Sequence, residues 1–107
     1  MVRIPTHEAP AHPGEILLED YLKELGMTQV ELAERLEVPL NRVNEIVKGK
    51  RSITPDTALR LERLFGVSAQ SWLNAQLAWD LFHAQHSDSA KVIERIRRLK
   101  PSKRQTA

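Results

Sequence analysis

The chain has 107 residues, a formal net charge of +2 and no cysteine. That length supports one domain of modest core size, or a small domain with tails. Without cysteine there is no disulfide framework and no thiolate metal site, and no apolar run approaches the ~18 residues of a membrane span. The opening MVRIPTHEAPAHPGE also lacks the apolar stretch of a signal peptide, so a cytoplasmic chain without a membrane partner is expected.

The small net charge conceals an asymmetry. Residues 87–107 carry seven Lys/Arg against Asp88 and Glu94, which leaves the preceding 86 residues acidic. Within that acidic body Arg42, Lys48, Lys50 and Arg51 cluster, with Glu45 alone against them. A cationic spot on an acidic surface points to a specific polyanion contact better than a high overall pI does.

Three segments are expected: an arm over 1–12, a helical domain over 13–86, and a basic tail over 87–107. The arm contains Pro5 and Pro10 and has room for a short extended piece at Val2–Ile4. His12-Pro13-Gly14-Glu15 opens a first helix, with proline near its first position, where a missing N–H costs nothing. Ile16, Leu17, Tyr21, Leu22 and Leu25 form its apolar stripe, Glu15, Glu19, Asp20 and Glu24 its acidic outer face, and Gly26 stops it.

Thr28 and Glu31 form a T-x-x-E capping box that starts a second helix at Gln29. Its apolar face is Leu32, Ala33 and Leu36. After the break Glu37-Val38-Pro39, a third helix runs from Leu40 to Lys48, with Val43, Ile46 and Val47 inward, and Gly49 ends it. This pairing of helices over about 28–48 reads as a helix-turn-helix. The turn carries Glu37 where glycine is common. A left-handed backbone at that site would cost a glutamate on the order of 1–2 kcal/mol.

Thr54, Pro55 and Asp56 supply the cap, the first residue and the first-turn acid of a fourth helix, which ends at Gly66. Ser68 caps a fifth, Ala69 to about Ala84. Its apolar residues form two stripes, Trp72, Ala75, Trp79 and Phe82 on one side and Leu73, Leu77 and Leu81 on the other. One stripe closes the domain's own core, and the other is expected to pack in a homodimer. Over 87–100 a short helix (Val92, Ile96, Leu99) and an edge strand (Ile93, Arg95, Arg97, Leu99) fit equally well. Pro101 ends either one, and 102–107 are expected to be disordered.

In a helix-turn-helix the second helix lies in the major groove. At about 100° per residue, Asn41, Glu45 and Lys48 face away from the core, with Arg42 and Asn44 on the flanks. Asn41, Arg42, Asn44 and Glu45 are therefore the candidate base readers, since asparagine pairs with adenine, arginine with guanine, and glutamate accepts from cytosine. Gln29, at the positive end of the second helix, and Lys48, Lys50 and Arg51, at the exit of the third, are candidate phosphate contacts. The bland alternative for Arg42 and Glu45, three apart, is a solvated pair with each other.

The segments HPGEIL (12–17), MTQVELAERLEVPLNRVNEIVKGKRSITPDTALRL (27–61) and FGVSAQSWLNAQLAWDL (65–81) resemble HigA/VapI-type antitoxins of the Cro/cI-like (XRE, lambda-repressor-like) helix-turn-helix group. The resemblance implies an all-α, lambda-repressor-like domain of five helices. It also implies repression of the chain's own operon and neutralisation of a HigB/RelE-like ribonuclease toxin. Trp72, Leu73 and Gln76 match the family's fifth helix and, with Leu77, Trp79 and Leu81, are expected to form dimer or core contacts. The acidic outer face of the first helix would suit a basic toxin. Two alternatives stand beside this reading: an orphan repressor without a toxin, and a toxin inhibitor whose DNA binding is weak.

No enzyme, cofactor or small-molecule substrate is expected. His7 and His12 are five apart with Pro10 between them, so they cannot share a helix face as a zinc-protease box requires. His83 and His86 lack further ligands for zinc. No carboxylate sits in an evident apolar pocket, and no phosphate loop or nucleophile signature is present.

Overall fold

The computed structural model describes residues 9–100, and all of its regular structure there is helical. The extended piece expected at Val2–Ile4 and the disorder expected at 102–107 lie outside the described residues. Helix α1 covers 13–25 as three joined pieces: α-helix Pro13–Ile16, a π-helical stretch Leu17–Leu22, and α-helix Lys23–Leu25. The later helices are α2 (Gln29–Leu36), α3 (Leu40–Val47), α4 (Pro55–Phe65), α5 (Ala69–Gln85) and α6 (Ser89–Glu94). Of the two alternatives over the tail the helix is the one formed, but shorter than its pattern: Val92 lies in it, while Ile96 and Leu99 fall in the irregular stretch 95–100. No helix among the described residues is long and apolar enough to cross a membrane.

The boundaries follow from local hydrogen bonding. The Glu31 N–H donates to Thr28 Oγ1 (3.0 Å) and the Thr28 N–H donates to Glu31 Oε1 (3.1 Å), so the capping box is complete. Thr54 Oγ1 accepts from the Thr57 N–H and Ser68 Oγ from the Ser71 N–H, which satisfies two donors that the starts of α4 and α5 would otherwise leave unpaired. Gly26 and Gly66 end α1 and α4 in the left-handed conformation. The π-helical stretch in α1 has no counterpart in the apolar pattern, which fits an ordinary helix.

The core is one cluster: Leu17 and Leu22 of α1, Leu32, Ala33 and Leu36 of α2, Val43 and Ile46 of α3, Ile53, Ala58 and Leu61 around α4, and Trp72 of α5. Every helix of the domain contributes, and full burial of each large apolar side chain stabilises the fold by roughly 1.5–3 kcal/mol.

The turn between α2 and α3 is strained and braced. Glu37 sits at φ 57°, the one positive-φ residue other than glycine among the described residues. Arg60, from α4, holds it from outside: Nη1 donates to the Leu36 carbonyl (2.7 Å) and to the Glu37 carbonyl (3.2 Å). These are terminal carbonyls that α2 itself cannot satisfy. Glu37→Gly is expected to relieve the left-handed penalty and stabilise the fold by about 1 kcal/mol, a Tm rise of roughly 4–8 °C. Thermal melting checks this, and an unchanged or lower Tm would sink it.

Candidate nucleic-acid interface

Helix α3 buries Val43 and Ile46, packs the half-buried Val47 against the core as expected, and turns its other side outward. Asn41 and Lys48 are exposed, Arg42, Asn44 and Glu45 half-buried, and Lys50 and Arg51 exposed just beyond the helix. Gln29 is half-buried at the first residue of α2. The structure thus brings Asn41, Asn44, Glu45 and Lys48 to one side of one helix, with Lys50 and Arg51 at its exit.

The ion pairs differ from the bland alternative. Arg42 and Glu45 do not pair with each other. Arg42 Nη1 lies 3.3 Å from Asp56 Oδ2, and Arg51 reaches Glu45 Oε1 at 2.6 Å through Nη2 and 2.7 Å through Nε. Asp56 Oδ2 also accepts from Arg60 Nε at 2.9 Å. One carboxylate on α4 therefore links Arg42 on the outer helix to the arginine that braces the turn. The reason is distance in sequence: Asp56 is 14 residues from Arg42, a separation that spacing along one helix cannot report. Exposed pairs of this kind contribute about 0–1 kcal/mol each and open readily for a stronger partner.

The far end of α3 is seated on the start of α1. Gly14 meets it so closely that a Cβ on Gly14 would fall 1.7 Å from the Ile46 carbonyl oxygen. His12 completes the junction. It is 6% exposed, its Nδ1 accepts the Gly14 N–H at 2.9 Å as the cap of α1, and its ring packs edge-on to Trp79 with centroids 5.1 Å apart. An acceptor at Nδ1 requires the neutral ring with its proton on Nε2. Burial lowers the His12 pKa below the ordinary histidine value, opposed by the Asp80 and Glu15 carboxylates and aided by His83.

Helix α5 divides its predicted residues between two duties. Trp72 and Gln76 are buried, and Leu73 and Trp79 are half-buried against the domain. Leu77 and Leu81 remain 47% and 37% exposed. Gln76 is a structural hinge-pin rather than a surface contact: its Oε1 accepts the buried Ile53 N–H at 2.8 Å, and its Nε2 donates to Asp80 Oδ1 at 3.0 Å. The glutamine of W-L-N-x-Q thereby ties α5 to the segment that follows α3. Arg60, Asp56 and Gly14 are the positioning residues that sequence reasoning missed. A basic residue near the end of α2 in space, though not in sequence, left no local signal.

Two short helices meeting at a tight turn, with a polar outer face on the second and cations at its exit, define a helix-turn-helix of the DNA-binding class. Comparison with known proteins agrees, since the helix-turn-helix family HTH_3 matches residues 18–72. The chain belongs to that family, which is non-enzymatic, and its relatives include HigA-type antitoxins. It is 58% identical over 89 residues to virulence-associated protein I of Dichelobacter nodosus, covering 81% of this chain and 82% of that one. An addiction module antidote protein of the HigA family from Coxiella burnetii is 41% identical, with a TM-score of 0.79 over 86% of this chain and all of that one. The structure of Pseudomonas aeruginosa antitoxin HigA with the higBA promoter is 38% identical, with a TM-score of 0.80 over 85% of this chain and 99% of that one. The expected all-α, lambda-repressor-like architecture therefore holds.

Proposed function

We propose that the chain is a cytoplasmic HigA-type antitoxin. It binds operator DNA as a two-fold dimer to repress its own operon, and it neutralises a HigB/RelE-like ribonuclease toxin. The observation that carries the DNA half is the outer face of α3, where Asn41, Asn44, Glu45 and Lys48 stand together beside Arg42. The antitoxin half rests on the similarity to HigA proteins. The P. aeruginosa relative was solved with promoter DNA, which supports the same partner here.

On this reading α3 enters the major groove, Asn41 and Asn44 take adenine edges, and Arg42 exchanges Asp56 for a guanine or a phosphate. Glu45 exchanges Arg51 for a cytosine amine, which frees Arg51 to join Gln29, Lys48 and Lys50 on the phosphates. Dimerisation uses the apolar surface that the fold leaves open: Leu77 and Leu81 on α5, with Ile93 of α6 lining one cleft with Leu81. The acidic outer face of α1 (Glu15, Glu19, Asp20, Glu24) suits a basic toxin by charge.

Gel-shift titrations on the chain's own promoter test the reading. Asn41→Ala and Arg42→Ala are expected to lose discrimination between operator and scrambled duplex by about 1–3 kcal/mol each. Lys50→Ala is expected to weaken all duplexes alike and to lower the salt slope by about 1. Unchanged operator preference in the first two variants would refute the assignment of the reading helix. Co-purification of a small basic protein encoded next to the gene checks the toxin half, and its absence would favour the orphan repressor.

A further inference from the structure

Leu40 is the first residue of α3, and it is 41% exposed although the next apolar residues of the helix, Val43 and Ile46, are at most 2% exposed. At about 100° per residue, Leu40 stands about 20° around the axis from the half-buried Val47 on one side and about 40° from Asn44 on the other, so it lies at the seam where the apolar face meets the polar outer face. Exposure of a leucine is ordinary by itself, and Leu25 and Leu59 on other helices are more exposed. Position is what sets Leu40 apart: it opens the helix whose N-terminal residues reach base edges when such a module docks.

We infer that Leu40 reads the 5-methyl group of a thymine, which makes it a specificity residue beyond the polar set. This rests on the DNA-binding reading given above. The major groove presents hydrogen-bond donors, acceptors and one apolar group, the thymine C5 methyl. A leucine side chain has no polar atom, so thymine alone offers it a matching surface. Facing cytosine instead, it would cover the N4 amine and leave a donor without its water, a penalty that turns apolar contact into discrimination. Leu40 thus selects thymine at one position in each half-site, next to the position that Asn41 or Asn44 reads.

The experiment replaces each thymine of the promoter duplex in turn by deoxyuridine, which deletes only the methyl group, and titrates it with the full chain. One position per half-site is expected to lose about three- to tenfold in affinity, the worth of one buried methyl contact. Leu40→Ala should weaken binding to the unmodified duplex by a similar factor and be indifferent to uracil at that same position. Indifference of the native protein at every thymine overturns the proposal, as does a uracil penalty that survives in Leu40→Ala. The uracil series on the native protein stands even if the variant folds poorly. Equal binding of promoter and scrambled duplexes by the native protein would overturn the DNA-binding reading itself, an outcome distinct from failure of the leucine contact.

Discussion

Gly14→Ala is expected to cost the fold more than about 3 kcal/mol, a large share of the roughly 5–15 kcal/mol that a domain of this kind possesses. The sign of the effect is what makes it informative. Alanine is the better helix former, and propensity alone favours the substitution by ~1 kcal/mol. Space decides against it. The new methyl would lie 1.7 Å from the Ile46 carbonyl oxygen and 2.5 Å from its carbon, and both are backbone atoms that no rotamer change can move. Relief requires α1 to lift off the end of α3, which would also disrupt the His12 cap and its packing on Trp79. Urea denaturation of native and variant protein measures the loss. A variant as stable as the native chain would show that the approach of α1 to α3 is looser than described.

Gln76→Leu should destabilise the fold by about 1–3 kcal/mol, the penalty for leaving the Ile53 N–H buried without an acceptor. Leucine is similar in size and more apolar, so a purely hydrophobic account of α5 predicts a neutral or stabilising change. The comparison that isolates the hydrogen bond is Leu77→Ala, on the exposed side of the same helix, which should leave monomer stability within about 0.5 kcal/mol. Denaturation midpoints for the two variants, taken at a concentration low enough to be monomeric, separate the cases. If Gln76→Leu matched the native midpoint, its tie to Ile53 would be dispensable.

The parts of this fold that were legible in the sequence are those whose cause is local. Thr28 with Glu31, Thr54 with Pro55, and Ser68 each announce a helix within four residues, because a cap satisfies donors in its own first turn. The period of Leu32, Leu36, Val43 and Ile46 likewise marks the inner faces. Contacts between elements were not legible. Arg60 on the turn carbonyls spans 24 residues to Leu36, and Gln76 spans 23 to Ile53. Nothing near Arg60 in sequence distinguishes it from a surface arginine, and Gln76, expected as a dimer or core contact by resemblance, carried no sign that Ile53 was its partner. Glu37 is an intermediate case: its left-handed conformation follows from its place in the turn, whereas the bracing that lets a glutamate remain there comes from α4. Among the candidate readers, composition named the residue types, but only tertiary geometry reveals that Arg42 and Glu45 are held by Asp56 and Arg51 in the free protein.

The clamping of α3 at both ends has a mechanical corollary. Arg60 fixes the turn just ahead of its first residue, and Gly14 against Ile46 seats its end, so sliding or tilting the helix would disturb packing at one end or the other. A rigid probe leaves the duplex to do the adjusting. On the DNA-binding reading, base steps that α3 never touches would then contribute to affinity through how cheaply they bend or narrow. Operators that share every contacted base should still be ranked by the stiffness of the spacer between half-sites.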